Sequence, residues 1–233
     1  MTMPKTIEFR RPDGQAVNGH LAEADAPLGA VVVIQEWWGV NAQILGVAER
    51  LAAAGFTALV PDLYRGKSTV EAEEANHLMS GLNFGDAATQ DVRGAVLALK
   101  GLHAGSGKVA VTGFCMGGAL TWLSLSHVPE LDAGVAWYGY PPLEYVDATK
   151  ITQPVMAHWA TQDQAFAIAG VDALEAKLRE AGVRYEGHRY LAHHAFANET
   201  AQGPGRIPIS QYDAFWAQRA WDRTLRFLGQ HLG

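Results

Sequence analysis

The feature of this chain that most constrains its fold is a regular alternation of short apolar runs with longer segments of helical periodicity. Val31–Ile34 has the composition of a buried strand, and in Ala42–Ala54 the apolar residues recur at helical spacing until Gly55. Further predicted strands are Thr57–Val60, Lys108–Thr112, Ala133–Trp137, Val155–Trp159 and Tyr185–Tyr190, and further predicted helices are Val70–Met79, Ala87–Leu99, Met116–Ser126, Ala165–Ala181 and Tyr212–His231. This order predicts an α/β fold with a mainly parallel central sheet and helices on both faces.

Two short segments near the N-terminus depart from this alternation. Thr6–Arg10 and Ala16–Ala22 flank the turn sequence Pro12–Gly14, which is typical of a β-hairpin. We therefore expect two antiparallel edge strands. The 233 residues contain no repeat, linker or low-complexity segment, so we expect residues 1–233 to form a single domain.

Composition argues against several classes of partner. The formal net charge is −6 and lysines and arginines are not clustered, which favours a small-molecule partner over nucleic acid or a membrane surface. Apolar runs are far shorter than the roughly 20 residues of a membrane span. The single cysteine cannot form an internal disulfide, and Met1–Arg11 is too polar for a secretory signal. We therefore expect a cytoplasmic protein that is a monomer or a weak homo-oligomer.

The only cysteine lies in a glycine-rich turn. The sequence Gly113–Gly117 directly follows the predicted strand Lys108–Thr112 and opens the next helix, with the spacing of a G-x-S-x-G nucleophile elbow and Cys115 in the serine position. A helix N-terminus stabilises negative charge on sulfur, and the Met116 N–H would bind the oxyanion of a tetrahedral intermediate. The alternative is that Cys115 is an ordinary buried residue in a tight turn. Its place between strand and helix favours the nucleophile.

An acid and a histidine follow two later strands. In elbow proteins of this kind, the acid and then the histidine come after the nucleophile, each beyond the end of a strand. Asp163 follows Val155–Trp159, and His194 follows Tyr185–Tyr190. We predict a Cys-His-Asp triad in which the histidine takes the thiol proton and the aspartate fixes its tautomer. Asp163 could instead cap the helix predicted from Ala165.

The remaining histidines do not predict a metal site. His193 and His194 are adjacent, so their side chains point in different directions, and no further cysteine, histidine or carboxylate falls at ligand spacing. We therefore expect neither a metal nor a cofactor. Other polar residues are interpreted structurally: His127 as a helix-end residue, His158 as a strand residue, His188 as outward-facing on its strand, and Asp172 and Asp213 as solvated helix residues.

Five blocks in order resemble the dienelactone hydrolase family, also called carboxymethylenebutenolidases, over nearly the whole chain. They are Gln35–Asn41, Val60–Tyr64, Gly113–Gly118, Gln162–Asp163 and His194–Phe196. The resemblance implies the α/β-hydrolase fold and a hydrolase that cleaves a carboxylic ester or lactone through a thioester acyl-enzyme. It assigns catalysis to Cys115, Asp163 and His194.

The resemblance also adds two residues that the motifs alone do not indicate. Glu36 is expected to take part in activating the cysteine when substrate is bound, and the backbone N–H of Trp37 is expected to join Met116 in the oxyanion hole. A carboxylate beside a thiol would oppose its ionisation, so coupling this step to substrate binding makes electrostatic sense.

The substrate-binding residues depart from the family. Its best-known members are expected to hold a substrate carboxylate with two arginines, but Ser68–Val92 contains no lysine or arginine, and Asn198 stands four residues after the histidine. Arg206 could substitute, or could be a solvated charge on the loop Gln202–Pro208. Aromatic residues are predicted to line a less polar acyl pocket: Trp37, Trp38, Phe84, Tyr138 and Phe196.

Three other functions stay open at this stage. The chain could be an esterase acting on less polar esters, or a non-catalytic small-molecule binding protein on the same scaffold, which would saturate with ligand without releasing product. A thiol-redox role would normally call for a resolving cysteine, which the sequence lacks. The sequence leaves open whether Asn198–Ser210 closes over the site.

Overall fold

The computed structural model describes residues 4–233, so the first three residues of the polar N-terminal segment lie outside the described range. The strands are β1 (Lys5–Arg10), β2 (Ala16–Ala22), β3 (Gly29–Ile34), β4 (Phe56–Pro61), β5 (Val109–Phe114), β6 (Ala133–Trp137), β7 (Val155–Ala160) and β8 (Tyr185–Tyr190). The helices are α1 (Ala42–Ala53), α2 (Ala72–Ser80), α3 (Phe84–Asp86), α4 (Arg93–Leu102), α5 (Met116–His127), α6 (Ile168–Glu180) and α7 (Ala214–Leu232). A π-helical stretch, Ala87–Val92, joins α3 to α4.

The strands form one eight-stranded sheet in the order β1-β2-β4-β3-β5-β6-β7-β8. The pairs from β4 to β8 are parallel, and β2 is antiparallel to both of its neighbours. The α/β fold with a mainly parallel sheet is thereby confirmed. The expectation of two edge strands is wrong for β2, which lies inside the sheet because it also pairs with β4. The edges are β1 and β8.

Helices cover both faces of the sheet and create two apolar cores. Side chains alternate along a strand, so Val32 packs into one core while Val31 and Val33 pack into the other. The first core contains residues of α4, α5 and α6, and the second contains residues of α1 and α7. Burial on both faces explains why these strands are continuous apolar runs in the sequence.

Several element boundaries differ from the sequence prediction, among them those of α6, β5 and α4. The predicted helix Ala165–Ala181 begins only at Ile168. The predicted strand Lys108–Thr112 continues through Phe114, because pairing with β3 extends to Gly113 and pairing with β6 extends to Phe114. The predicted helix Ala87–Leu99 is preceded by a short turn of helix and begins in π geometry.

Parallel pairing brings the carboxyl ends of four strands to one edge of the sheet. Glu36 follows β3, Cys115 follows β5, Asp163 follows β7, and His194 follows β8. Loops at the carboxyl ends of parallel strands are where open α/β sheets bind ligands. The fold therefore assembles these four residues from segments far apart in sequence.

None of the helices in residues 4–233 is both long enough and apolar enough to cross a lipid bilayer.

Candidate active site

Cys115 occupies a strained turn between β5 and α5. Its backbone has φ 56° and ψ −115°, a region that residues other than glycine rarely adopt. Because the chain reverses so sharply, α5 lies directly against the ends of β3 and β6. A Cβ atom on Gly117 would lie 2.5 Å from the Ile34 carbonyl oxygen, and one on Gly113 would collide with the backbone of Gly117. The glycines are therefore required for the close approach that the motif predicts.

The sulfur of Cys115 lies beside the imidazole of His194. His194 Nε2 is 3.2 Å from Cys115 Sγ, and His194 Nδ1 is 2.8 Å from Asp163 Oδ2. Both partners of the second contact are buried, since the side chains of His194 and Asp163 are 6% and 2% exposed. In this arrangement, the Nδ1–H of the imidazole donates to the carboxylate and the Nε2 faces the thiol. The structure thus brings together the three residues that the sequence analysis selected.

The second carboxylate oxygen of Asp163 is also hydrogen bonded. Oδ1 accepts hydrogen bonds from the backbone N–H groups of Ala165 and Phe166, at 2.8 and 2.9 Å. The alternative of a helix cap is wrong, because α6 starts at Ile168 with Ala167 in the capping position. Asp163 instead fixes the turn before the helix and holds the histidine at the same time.

The charge state of His194 reflects two opposing effects. Burial of the ring opposes its positive charge, but negative charge on Cys115 and the hydrogen bond to Asp163 outweigh burial. Together they hold the pKa of His194 well above its usual value. The surroundings of His194 therefore favour the imidazolium form of its ring.

Glu36 is buried next to the triad and is held by two neutral donors. The hydroxyl of Tyr138 donates to Oε1 at 3.2 Å, and Nδ2 of Asn198 donates to Oε2 at 2.7 Å. Burial raises the pKa of Glu36, although the charge of His194 and the two hydrogen bonds act in the opposite direction. Within the described residues, Glu36 forms no hydrogen bond to Cys115 Sγ.

Asn198 is a member of the site that the sequence analysis missed, since it was noted only as the residue in place of an arginine. Its Oδ1 accepts from the backbone N–H of Thr200 at 2.9 Å and from the Thr200 hydroxyl at 2.7 Å. A backbone N–H can only donate, so this bond fixes the amide with Nδ2 towards Glu36. No local pattern in the sequence singles it out, since Asn198 is followed by two further polar residues, Glu199 and Thr200.

A cavity of about 630 Å³ opens beside Cys115 and His194. Trp37 and Met116 line it, and neither of their backbone N–H groups donates a hydrogen bond within residues 4–233. The other lining residues are Glu36, Trp38, Asn41, Ala42, Gln43, Thr69, Val70, Met79, Ala165, Phe166, Ala195, Asn198, Thr200, Ala201, Gly205, Arg206, Ile207, Ile209 and Ser210. The segment from Asn198 to Ser210 thus supplies part of the wall.

The structure corrects part of the predicted substrate pocket. Trp38 and Arg206 line the cavity, as expected, but Tyr138 and Phe196 do not. Both are fully buried, because they pack against each other with ring centroids 5.3 Å apart. Tyr138 supports Glu36 from behind, and Phe84 packs against the first core.

Arg206 is exposed and is hydrogen bonded to its own loop. Its Nη1 donates to the carbonyl oxygens of Pro208 at 3.1 Å and Ser210 at 2.9 Å. The guanidinium is therefore used, at least at this nitrogen, to brace the loop that contains it.

Other polar residues are placed as follows. His158 is completely buried between the Tyr190 hydroxyl and the Thr224 hydroxyl, and His127 is exposed at the end of α5. His188 is not outward-facing, since it stacks on His158 with ring centroids 5.7 Å apart. Asp213 is not simply solvated, because it caps α7 by accepting from Trp216 N. Asp172 is exposed and pairs with Arg189.

The described part of the chain contains no group of three or more histidine, cysteine or acidic side chains that could hold a metal ion. Of the two adjacent histidines, His194 is buried, whereas His193 is half-buried.

Comparisons with known proteins agree with this architecture. The model of the dienelactone hydrolase family matches residues 17–232. The chain is 32% identical over 238 residues to Protein usf of Aquifex pyrophilus, and the match covers 99% of this chain and 100% of that protein. It is 31% identical over 225 residues to a protein of Escherichia coli K12 named "Putative carboxymethylenebutenolidase", covering 91% of this chain and 80% of that protein.

The similarity to solved structures also extends over the full length of the chain. The dienelactone hydrolase-like promiscuous phosphotriesterase P91 from metagenomic libraries has a TM-score of 0.85 and 27% identity, and the match covers 100% of each chain.

Proposed function

The chain belongs to the dienelactone hydrolase family, and on that premise we propose that it hydrolyses a carboxylic ester or lactone with Cys115 as the nucleophile. The observation that carries the proposal is the continuous line of contacts from Cys115 Sγ through His194 to Asp163. Nucleophile, base and orienting acid within hydrogen-bond reach are the signature of covalent acyl transfer.

The first half of the reaction forms a thioester. His194 takes the thiol proton, the sulfur attacks the carbonyl carbon, and the carbonyl oxygen becomes an oxyanion held by the N–H groups of Trp37 and Met116. The carbon–oxygen bond of the ester then breaks, and His194 gives its proton to the departing alkoxide. In a lactone, the released alcohol stays attached to the acyl group.

The second half releases the acid. His194 accepts a proton from water, the hydroxide attacks the thioester, and the thiolate leaves and recovers a proton. Asp163 keeps Nε2 directed at the sulfur throughout, because it accepts from Nδ1–H.

We assign Glu36 a part in activating the thiol. Its carboxyl lines the same cavity and is held by Tyr138 and Asn198 rather than by a cation. A neutral, protonated Glu36 leaves the negative sulfur undisturbed, whereas an ionised one would oppose it, so the proton on Glu36 matters to the charge on Cys115.

The experiment is hydrolysis of p-nitrophenyl butanoate combined with mass spectrometry of the quenched intact protein. We expect turnover by the native chain, an acyl adduct on Cys115, and loss of both in Cys115→Ala. In Asp163→Asn we expect kcat to fall about 100-fold or more, since the amide would favour the wrong tautomer of His194.

Circular dichroism should verify that both variants fold. Full activity of Cys115→Ala would overturn the assignment of the nucleophile. Saturable ligand binding without any product from a panel of esters and lactones would favour a binding protein instead.

A further inference from the structure

The wall of the cavity beside Cys115 is mostly apolar beyond the reacting groups. Val70, Met79, Phe166, Ile207 and Ile209 contribute side chains to it. They come from the loop before α2, from α2, from the turn after Asp163 and from the segment that precedes α7. Four separate segments of the chain thus present hydrocarbon to whatever is bound there.

Few of the side chains that line this wall are acidic or basic. Of the described residues that line it, only Glu36 and Arg206 belong to the acidic and basic types, and the imidazole of His194 is used by the triad. Glu36 cannot supply a positive charge in either protonation state, since it is neutral or negative. Arg206 is exposed, and its Nη1 is bonded to two carbonyl oxygens of its own loop.

Inside the cavity, a substrate carboxylate would therefore meet no buried cation besides the triad histidine, and its other donors would be neutral groups such as Nε2 of Gln43, which is buried without a hydrogen-bond partner among the described residues. Moving a carboxylate from water into apolar surroundings is strongly unfavourable unless a cation or several donors replace its hydration. Arg206 would bind a carboxylate only weakly, because its side chain is exposed and its charge is screened by water and salt. A neutral chain would meet hydrocarbon instead and would gain from leaving water.

We propose that the site takes neutral esters with an apolar acyl or alcohol part and discriminates against substrates that carry a carboxylate. This inference rests on the proposed function and specifies the substrate class of the same cavity. The volume of about 630 Å³ suits a small organic molecule.

The test compares two esters of equal length and identical leaving group, p-nitrophenyl hexanoate and mono-p-nitrophenyl adipate. The second differs only by a terminal carboxylate, and its methyl ester serves as an uncharged control of similar size. We expect kcat/KM at low salt to be at least tenfold higher for the hexanoate than for the adipate, with the methyl adipate close to the hexanoate. Equal values, or a preference for the free adipate, would overturn the inference.

A variant pair probes the cause of the selectivity. Val70 lines the cavity and is 86% exposed, so both Lys and Met should be tolerated there without loss of folding. We expect Val70→Lys to raise the ratio of adipate to hexanoate kcat/KM several-fold over Val70→Met, and added salt to remove the gain. An equal ratio in the two variants would contradict selection by the charge of the wall.

The two proposals fail in different ways. If the native chain hydrolyses none of these esters and forms no adduct on Cys115, the proposed function fails. If the adduct forms but the free adipate reacts as well as the hexanoate, the proposed function stands and only the inference on substrate class falls.

Discussion

A buried carboxyl whose hydrogen-bond donors are both neutral is the most informative feature at the scale of single residues. Glu36 is only 3% exposed, and its two oxygens accept hydrogen bonds from Tyr138 and Asn198, both uncharged. Burial penalises the ionised form, and the charge of His194 and the two neutral donors only partly offset that penalty, so the pKa of Glu36 stays raised. Protonation of Glu36 is therefore linked to folding.

The substitution Glu36→Gln should expose this linkage. Below the ordinary Glu pKa of 4.5, the carboxyl is protonated in both the folded and the unfolded chain. As pH rises past that value, the unfolded chain loses the proton first, so the free energy of unfolding falls until the raised folded pKa is passed. Glutamine does not titrate, so we expect the Tm of the variant, relative to the native chain, to increase as pH rises from 4.5.

Thermal melts followed by circular dichroism between pH 4.5 and 8 would measure this difference. Any constant cost of the amide against the Tyr138 hydroxyl cancels in the comparison across pH. A Tm difference that does not change with pH would contradict a raised pKa for Glu36.

The three residues of the candidate triad could be selected at this scale, whereas the surroundings of Glu36 could not. Cys115, Asp163 and His194 each follow a predicted strand, so position and residue type select them. Asn198 acts on Glu36 across 162 positions of sequence. A hydrogen bond between distant loops leaves no local pattern.

At the scale of elements, the junction of β5 and α5 sets the position of the sulfur. The first turn of α5 packs so closely on neighbouring strands that Gly117 and Gly118 each face a carbonyl oxygen. Glycine spacing in the sequence predicted this approach. The strain at Cys115 is accompanied by positive φ angles at Tyr138 and Ala195, which also belong to or adjoin the site.

A pair of alanine substitutions in helices tests this packing. In Gly117→Ala, the new Cβ would lie 2.5 and 2.6 Å from the carbonyl oxygens of Ile34 and Gln35, so α5 or β3 must shift. We expect a loss of about 1–3 kcal/mol in the free energy of unfolding. The matched control is Gly46→Ala in α1, where nothing lies within 4 Å of the new Cβ.

We expect Gly46→Ala to be neutral or to stabilise by about 0.5–1 kcal/mol, because alanine favours the helix. Urea denaturation of both variants gives the comparison. Equal stability of the two variants would show that α5 does not need the close approach.

At the scale of the whole molecule, a charge cluster connects the N-terminal hairpin to the helical layer. Arg11 follows β1 and contacts Asp86 and Asp91, while Arg65, after β4, also pairs with Asp91. Asp91 and Arg11 are almost fully buried, with side chains 2% and 6% exposed. We propose that residues 1–233 form one domain, because one sheet runs from the hairpin to β8 with a core on each face.

The variant Arg11→Met tests the cluster and the single domain together. Removing the guanidinium leaves Asp91 buried with only Arg65 as a partner, so we expect a loss of about 3 kcal/mol in the free energy of unfolding. If the chain is one domain, the native protein and the variant should each unfold in one calorimetric transition, at a lower temperature in the variant. Separate transitions for the hairpin region and the rest would contradict a single domain.

The sequence by itself determined the fold class and the order of the catalytic candidates. Apolar periodicity and glycine spacing are local patterns, and they specify where strands, helices and the elbow of Cys115 lie along the chain. Element ends such as the start of α6 were less predictable. Asp163 accepts from the backbone N–H groups of Ala165 and Phe166, which looks like a helix cap in the sequence but forms a turn that ends before the helix begins.

Only the tertiary structure decided what surrounds the triad. Tyr138 and Phe196 lie in the core rather than in the wall of the cavity. Arg206 donates to a carbonyl oxygen of its own loop, and Glu36 accepts from the amide of Asn198. These outcomes depend on which distant side chains compete for the same space and the same hydrogen bonds. That competition is settled by packing in three dimensions, so the sequence located the candidate nucleophile while the fold determined the wall of the cavity beside it.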